Sequence, residues 1–405
     1  MTAVPRLARS VSAGIDALPD MVFVSMENWD EVWRRNQFLC KGLAQRFPDA
    51  RILFVGPPRD VSNCIRRGKL SGLTATATTS VPDLPNIVVT RPLKLLPNSF
   101  GLGRAFNDWT ARRHVSRVAR SVGMTRPLLW LNPHFSVSMV GKMDECAVIY
   151  DVTDDWTAFA ESPEELRLVT QQDAALCQAA DAVIVCSERL LSMKRGLAKN
   201  VHLIPNGVDV AHYNSVLDRT AALPSCAAVL ERPVLGYTGT VHPSRVNVAL
   251  LEAIARKFKQ GSIVLVGPDH LSPDQRARLD ALGNVHRLGP VPYAEVPGYM
   301  RAFDVSIVPH CVTPFTESLN PIKLWEYLAA GKPIVSTNVA GFRSYPAHVR
   351  IAANADEFLT EVSAALAEDP AKAEERRHEA RSHSWDSRID DVMRVIASCM
   401  EKARA

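Results

Sequence analysis

Short apolar runs recur along this chain, and between them lie longer stretches whose apolar positions return every three or four residues. In the first half the runs are MVFVSM, RILFVG, NIVVT, PLLWLN, AVIYDV, AVIVCS and VHLIPN. An unbroken apolar run of this length reads as a strand buried on both faces. The intervening stretches, such as EVWRRNQFLCKGLAQRF and SPEELRLVTQQDAALCQAA, read as helices that cover such strands. Alternation of the two predicts a parallel sheet between helical layers. The rhythm is lost after Asp209, in AHYNSVLDRTAALPSCAAVLERP, and resumes with VLGYTGT, SIVLVGP, VHRLGPV, DVSIVP and PIVST. Two similar α/β halves follow from this: a domain over residues 1–212, a linker over 213–232 and a second domain over 233–385. Residues 386–405 carry Ile389, Val392, Met393 and Ile396 at helical spacing and are expected to form a closing helix packed on either domain, the first being one choice. No period of 20–50 residues recurs, which excludes a solenoid.

Composition agrees with this layout. A chain of 405 residues, 47% apolar and 22% charged, is globular and too long for one ordinary core. No apolar run approaches the ~18–20 residues of a membrane span, and the first twenty residues lack the apolar core of a signal peptide. The eight cysteines stand singly, with no CxxC and no histidine partners at zinc spacing, so a reducing cytoplasm is expected. Charge is less even. Between Arg51 and Lys142, fourteen Lys and Arg meet only three Asp, whereas the whole chain carries +4, so the remainder is acidic. A basic segment over 51–142 suits anionic lipid headgroups, nucleic acid or a phosphorylated substrate. No readout motif accompanies it, and nucleic acid is not expected.

The chemistry concentrates in NPIKLWEYLAAGKPIVST, residues 320–337. Asn320 suits an N-cap, Pro321 the first helical position and Gly331 the left-handed position after the last turn. Lys323 and Glu326, three apart, leave such a helix on one face. They could form an ordinary surface ion pair. A lysine in the first turn nevertheless opposes the helix dipole, unless an anion sits at that end. In the first half, VIYDVTDDWTAF ends a buried strand with Asp151, Asp154 and Asp155, where crowding can raise a carboxylate toward a useful base. Helix capping is the competing reading for the last two. His134 also follows a strand, in LWLNPHF. GLGRAF lacks the third glycine of a dinucleotide fingerprint and is set aside.

P-x-K-x-x-E-Y-x-A-x-G-x-P, carried by Pro321, Lys323, Glu326, Tyr327, Ala329, Gly331 and Pro333, resembles the signature of the group-1 GT-B nucleotide-sugar glycosyltransferases of bacterial polysaccharide and glycolipid synthesis. AVIVCSERL, HLIPNGVD with Asn206, Gly207 and Asp209, the opening VLGYTGTVHPSRVNVALLEAI, SIVLVGP, NVHRLGPVPYAEVPGYMRAFDVSIVP and the late Trp385 fall in the same family order. The resemblance runs from about residue 130 to 390. It implies a fold of two Rossmann-like, doubly wound parallel-sheet domains facing across a cleft, the first binding acceptor and the second the nucleotide-sugar donor. Glu326 would take the ribose hydroxyls. Lys323, Arg245 and the helix end at Asn320 and Pro321 would hold the diphosphate, beside the Gly239–Thr240 turn. The loop GPVPY, Gly289 to Tyr293 with Val291 between them, would meet the base.

The family's Glu-x7-Glu motif is broken: seven residues before Glu326 stands Ser318, with Glu317 one place too early. Either is a candidate for the donor-sugar contact. Asp154 resembles the acid that serves as base in xanthan-type glucuronosyltransferases, and Asp30 or Arg34 of SMENWDEVWRR would touch the acceptor. Such enzymes generally use no metal and no cofactor beyond the donor itself, and none is expected here. The implied acceptor is a polysaccharide or lipid-linked oligosaccharide, with the basic segment resting on an anionic inner leaflet. The residues leave retention and inversion both open. Competing functions are a nucleotide-sugar 2-epimerase and a non-catalytic scaffold on the same fold.

Overall fold

A computed structural model describes residues 17–30, 32–61, 64, 78–98, 101–218, 220 and 222–404. Positions 1–16 of the first domain, 62, 63, 65–77, 99 and 100 of the basic segment, and 219 and 221 of the linker lie outside the described residues.

The apolar runs form two separate sheets. The first contains β1 (Met21–Val24), β2 (Ile52–Val55), β4 (Thr79–Val81), β5 (Leu84–Thr90), β7 (Leu128–Leu131), β8 (Ala147–Val152), β9 (Ala182–Val185) and β10 (Val201–Leu203), in the order β10-β9-β8-β7-β1-β2-β5-β4. Only β4 runs antiparallel, against β5. A two-stranded ribbon of β3 (Arg59–Asp60) and β6 (Leu93–Lys94) stands apart. The second sheet holds β11 (Val234–Thr238), β12 (Ser262–Val266), β13 (Val285–Gly289), β14 (Val305–Val308), β15 (Ile334–Thr337) and β16 (Val349–Ala352), all parallel, in the order β13-β12-β11-β14-β15-β16. Each order reverses once beside its first strand, between β1 and β7 and between β11 and β14. At such reversals the loops part and leave a crevice beyond the carboxyl ends of the strands.

Helices cover both faces of each sheet, which is why the central strands are buried at every position. On the first sheet, α1 (Arg35–Arg46) packs one face with Phe38, Leu39 and Leu43. The other face takes α2 (Gly101–Ser121), through Val115, Val118 and Ala119, and α3 (Pro163–Ala179), through Leu176 and Cys177. The second sheet is covered on one side by α4 (Ile322–Ala329), which buries Leu324, Trp325, Tyr327 and Leu328.

The chain ends in α5 (Lys372–Arg381) and α6 (Trp385–Arg404). The last of these leaves the second domain and joins the core of the first, where Ile389, Val392, Met393 and Ile396 pack with α1. Trp385 stacks on Phe38 with ring centroids 4.8 Å apart. Two crossings therefore connect the domains, and they run side by side. Val208 donates its N–H to His383 (2.9 Å) and accepts that of Trp385 (3.1 Å).

Candidate active site

The carboxyl ends of the two sheets face one another across a cleft of about 380 Å³. Its second-domain wall comes from the loops after β11, β12 and β14 and from the start of α4; its first-domain wall comes from the loops after β1 and β8.

Lys323 and Glu326 both point into this cleft. The helix that carries them begins one residue later than its sequence suggests. Pro321 occupies the N-cap position, and no side chain caps the turn. Asn320 is drawn away because its Oδ1 and carbonyl accept the N–H (2.9 Å) and the Nδ2 (2.6 Å) of Asn206 in the first domain. The first-turn amides therefore open on the cleft, beside Asn320, Pro321 and Ile322. Lys323 and Glu326 are not ion-paired with each other. The Lys323 ammonium lies over the Tyr237 ring, 5.3 Å from its centroid. Burial, and then the Arg245 cation, lower its pKa to about 8. Glu326 receives the Tyr213 hydroxyl at 2.8 Å. Burial raises its pKa, opposed by that hydrogen bond and by Lys323.

Two glycines make room for the lysine. Gly239 adopts φ +130°, and a Cβ there would stand 2.9 Å from the Lys323 Nζ. Gly267, at φ +138°, passes so close to Gly239 that a Cβ would stand 2.3 Å from its carbonyl oxygen. Thr240 and Arg245 complete this wall, the guanidinium lying 5.3 Å from the centre of the Phe315 ring. His310, at the end of β14, is pushed well below its usual pKa by burial and by the cations Lys323 and Arg245, so it is neutral here. Its Nε2 lies 3.2 Å from the Tyr237 hydroxyl.

The base-side loop needs a correction. Gly289 does not face the cleft: it turns the chain at φ +73°, and its carbonyl accepts the Gly267 N–H at 2.8 Å. Pro290, Val291 and Tyr293 line the wall instead. Tyr293 is sandwiched between His212 (4.1 Å) and Trp33 (5.9 Å). Neither candidate for the donor-sugar contact reaches the cleft. Glu317 is paired with Arg343 and accepts the Ala340 N–H at 3.2 Å. Ser318 is fully buried, its hydroxyl donating to the Phe315 carbonyl at 2.7 Å. Its carbonyl accepts the Ser187 hydroxyl across the domain boundary, also at 2.7 Å.

On the first-domain wall, Asp154 faces the cleft, with Oδ2 accepting the Thr153 hydroxyl at 3.1 Å. Burial raises its pKa. Asp151 does not reach the cleft. Strand alternation turns it inward, where Arg35 grips it from 3.0 Å in a fully buried pair, so its role is structural. Asp155 accepts the Thr157 N–H at the start of a short 3-10 turn. His134 lies apart as well. It lines a second cavity of about 760 Å³ in the first domain, enclosed by the loops after β1, β2 and β7 and by α2 and α3, with Nδ1 3.0 Å from Gln172 Oε1. Arg34 lines the cleft, whereas Asp30 accepts the Val32 N–H at 3.0 Å.

Sequence reading overlooked Glu27, Trp33, Tyr213 and His310. Three of these are aromatic or imidazole side chains, and no local pattern marks them. Glu27 stood in plain view, directly after a predicted strand.

The chain is similar to known proteins in sequence and in fold. Residues 232–368 match the family model described as glycosyl transferases group 1. Over 265 residues the chain is 28% identical to TuaH of Bacillus subtilis (strain 168), whose name assigns it provisionally to teichuronic acid biosynthesis as a glycosyltransferase. That match spans 61% of this chain and 66% of TuaH. Among solved structures, sucrose-phosphate synthase from Thermosynechococcus elongatus superposes with a TM-score of 0.68 at 17% identity, over 92% of this chain and 97% of its own. Anabaena Alr3699/HepE, solved with UDP and glucose, gives 0.64 at 18% identity, over 92% and 98%. At such identities the structures speak for the fold alone, and none of these names is that of an epimerase. The family model covers the domain that carries Lys323 and Glu326, and the fold likeness spans nearly the whole molecule: the second domain is similar to the group 1 glycosyltransferases, and the chain as a whole has the two-domain fold of these solved structures.

Proposed function

We propose that the protein moves one sugar from a nucleoside diphosphate sugar to a hydroxyl of a polysaccharide or lipid-linked oligosaccharide. The observation that carries this is the placement of Lys323 and Glu326 inside the cleft, unpaired with each other, at the open end of a helix. The donor's two phosphates sit on the first-turn amides between the Lys323 ammonium and the Arg245 guanidinium, which together balance the charge of the departing diphosphate. Glu326, with one oxygen already fixed by Tyr213, accepts the ribose hydroxyls. The base lies toward Val291 and Tyr293. The acceptor approaches along the first-domain wall, and its proton leaves to a carboxylate there, where Asp154 and Glu27 stand. No metal enters this scheme, and turnover is expected to survive EDTA.

HepE makes UDP the first nucleotide to test, followed by GDP, ADP and dTDP. Calorimetry should find one of them bound by the wild type and not by Lys323→Ala or Glu326→Ala. Undiminished binding in both variants would remove the assignment.

The acceptor is proposed to be lipid-borne. Among the described residues no helix is long and apolar enough to cross a membrane. However, α2 presents Leu102, Phe106 and Trp109 to solvent along one side, with Arg113 over the Trp109 ring at 5.5 Å. Its opposite side, with Arg104, Asp108 and Ala111, walls the second cavity. Apolar side chains interleaved with arginines suit the headgroup region of an anionic inner leaflet. Such a location on the cytoplasmic face agrees with eight free cysteines.

A further inference from the structure

Glu27 follows β1 at the point where the first sheet reverses its order, between the two cavities: Met26 lines the first-domain cavity and Glu27 the cleft. Resting on the reading of the cleft as the donor site, we propose that Glu27 is the catalytic base, taking the acceptor's hydroxyl proton on Oε2 as the sugar transfers with inversion.

The two oxygens of this carboxylate differ. Oε1 lies 3.5 Å from the Arg34 Nε, which holds the group in place. Oε2 is buried and has no hydrogen-bond partner among the described residues. A carboxylate oxygen closed off without a donor is unfavourable, and a turn of the group, whose side chain is 30% exposed, would bring it to an incoming hydroxyl. The charged neighbours are Arg34, which attracts; Asp30 of the same loop; and Asp151 and Asp154 at the end of β8, which repel. Arg35 of α1 is spent on Asp151. Burial and then the acids outweigh Arg34 and push the Glu27 carboxyl up to about 7, the range that suits a base at neutral pH. Asp154 is less suited to the task. Burial raises its carboxyl too, but its Oδ2 already accepts the Thr153 hydroxyl.

The step balances without a co-reactant. The acceptor oxygen forms a bond to the anomeric carbon from the first-domain side. The bond from that carbon to the diphosphate oxygen breaks, its electron pair leaves with the diphosphate at α4, and the proton passes to Oε2 of Glu27. Attack and departure occur on opposite faces, so the anomeric configuration inverts.

Water can replace the acceptor in a test. The probe is UDP-glucose, or the GDP-, ADP- or dTDP-glucose that binds in its place, and the readouts are hydrolysis rate against pH and the first anomer released, by NMR. The wild type should hydrolyse the donor with a rate that rises through pH ~7 and should release the inverted anomer. Glu27→Gln should lose about 10²–10⁴-fold in rate and the acid limb with it, while binding nucleotide as the wild type does. Glu27→Asp should recover part of the rate and the limb. Asp154→Asn should keep an acid limb, moved to lower pH because a repelling charge is gone. The proposal is overturned by an acid limb surviving in Glu27→Gln, by release of the retained anomer, or by bound donor that the wild type never hydrolyses. If the wild type binds none of the four nucleotides, the donor-site reading falls first, a result independent of Glu27.

Discussion

The Lys323 ammonium packs against Gly239, where a side chain would crowd it. Its setting makes it sensitive to pH. With a pKa lowered to about 8, the ammonium is present below that value and lost above it. Nucleotide affinity is therefore expected to be greatest at and below neutrality and to weaken as pH rises through about 8. A bound diphosphate favours the charged form and should shift this limb upward in the complex. Lys323→Arg should flatten the profile between pH 7 and about 9.5, since guanidinium does not titrate there; calorimetry at several pH values would read both. Lys323 and Glu326 were legible in the sequence because a spaced motif on one helix face makes them conspicuous. Asp151 misled because its neighbours Asp154 and Asp155 suggested a shared cluster, whereas alternation along β8 sends it inward to Arg35. Glu27 was missed for the opposite reason: a single carboxylate has no pattern, and its burial depends on residues far along the chain.

Among the elements, α6 carries the largest share of what sequence periodicity could reveal. Its buried stripe closes one face of the first sheet, and Gly42 of α1 lies directly beneath Ile389. Ile389→Ala is expected to cost about 2–5 kcal/mol, seen as a lower urea midpoint of the first domain. The central strands were equally legible, since burial on both faces leaves an unbroken apolar run. The ones that escaped are short or half-exposed: β3 and β6, β4, and β16, whose Arg350 and Ile351 are only partly covered. The N-cap at Asn320 was misplaced because a contact from the other domain competes for its side chain, a competition that local sequence does not record. For α2, flotation with anionic liposomes at low salt should carry the wild type upward. Trp109→Ser with Phe106→Ser should remain in the dense fraction, and a wild type that never floats would exclude docking.

At the scale of the whole molecule, hydrogen bonds and the packing of Tyr293 on Trp33 hold the two walls of the cleft together. Asn206 to Asn320 and Ser187 to Ser318 join the domains beside it. Asn206→Ala removes its side-chain share of these and should open the cleft. A larger radius of gyration by X-ray scattering is expected, together with nucleotide affinity weakened by roughly tenfold, the worth of about 1.4 kcal/mol. The paired crossings at Val208 and Ser384 lie beside the first of those bonds, Val208 being two residues past Asn206, and belong to both halves. Rotation about them would part the cleft walls while the two strands stay joined to each other. On the proposed reading, spent nucleotide would escape through such a swing with neither sheet distorted, and α6, anchored to the first domain, would set its axis.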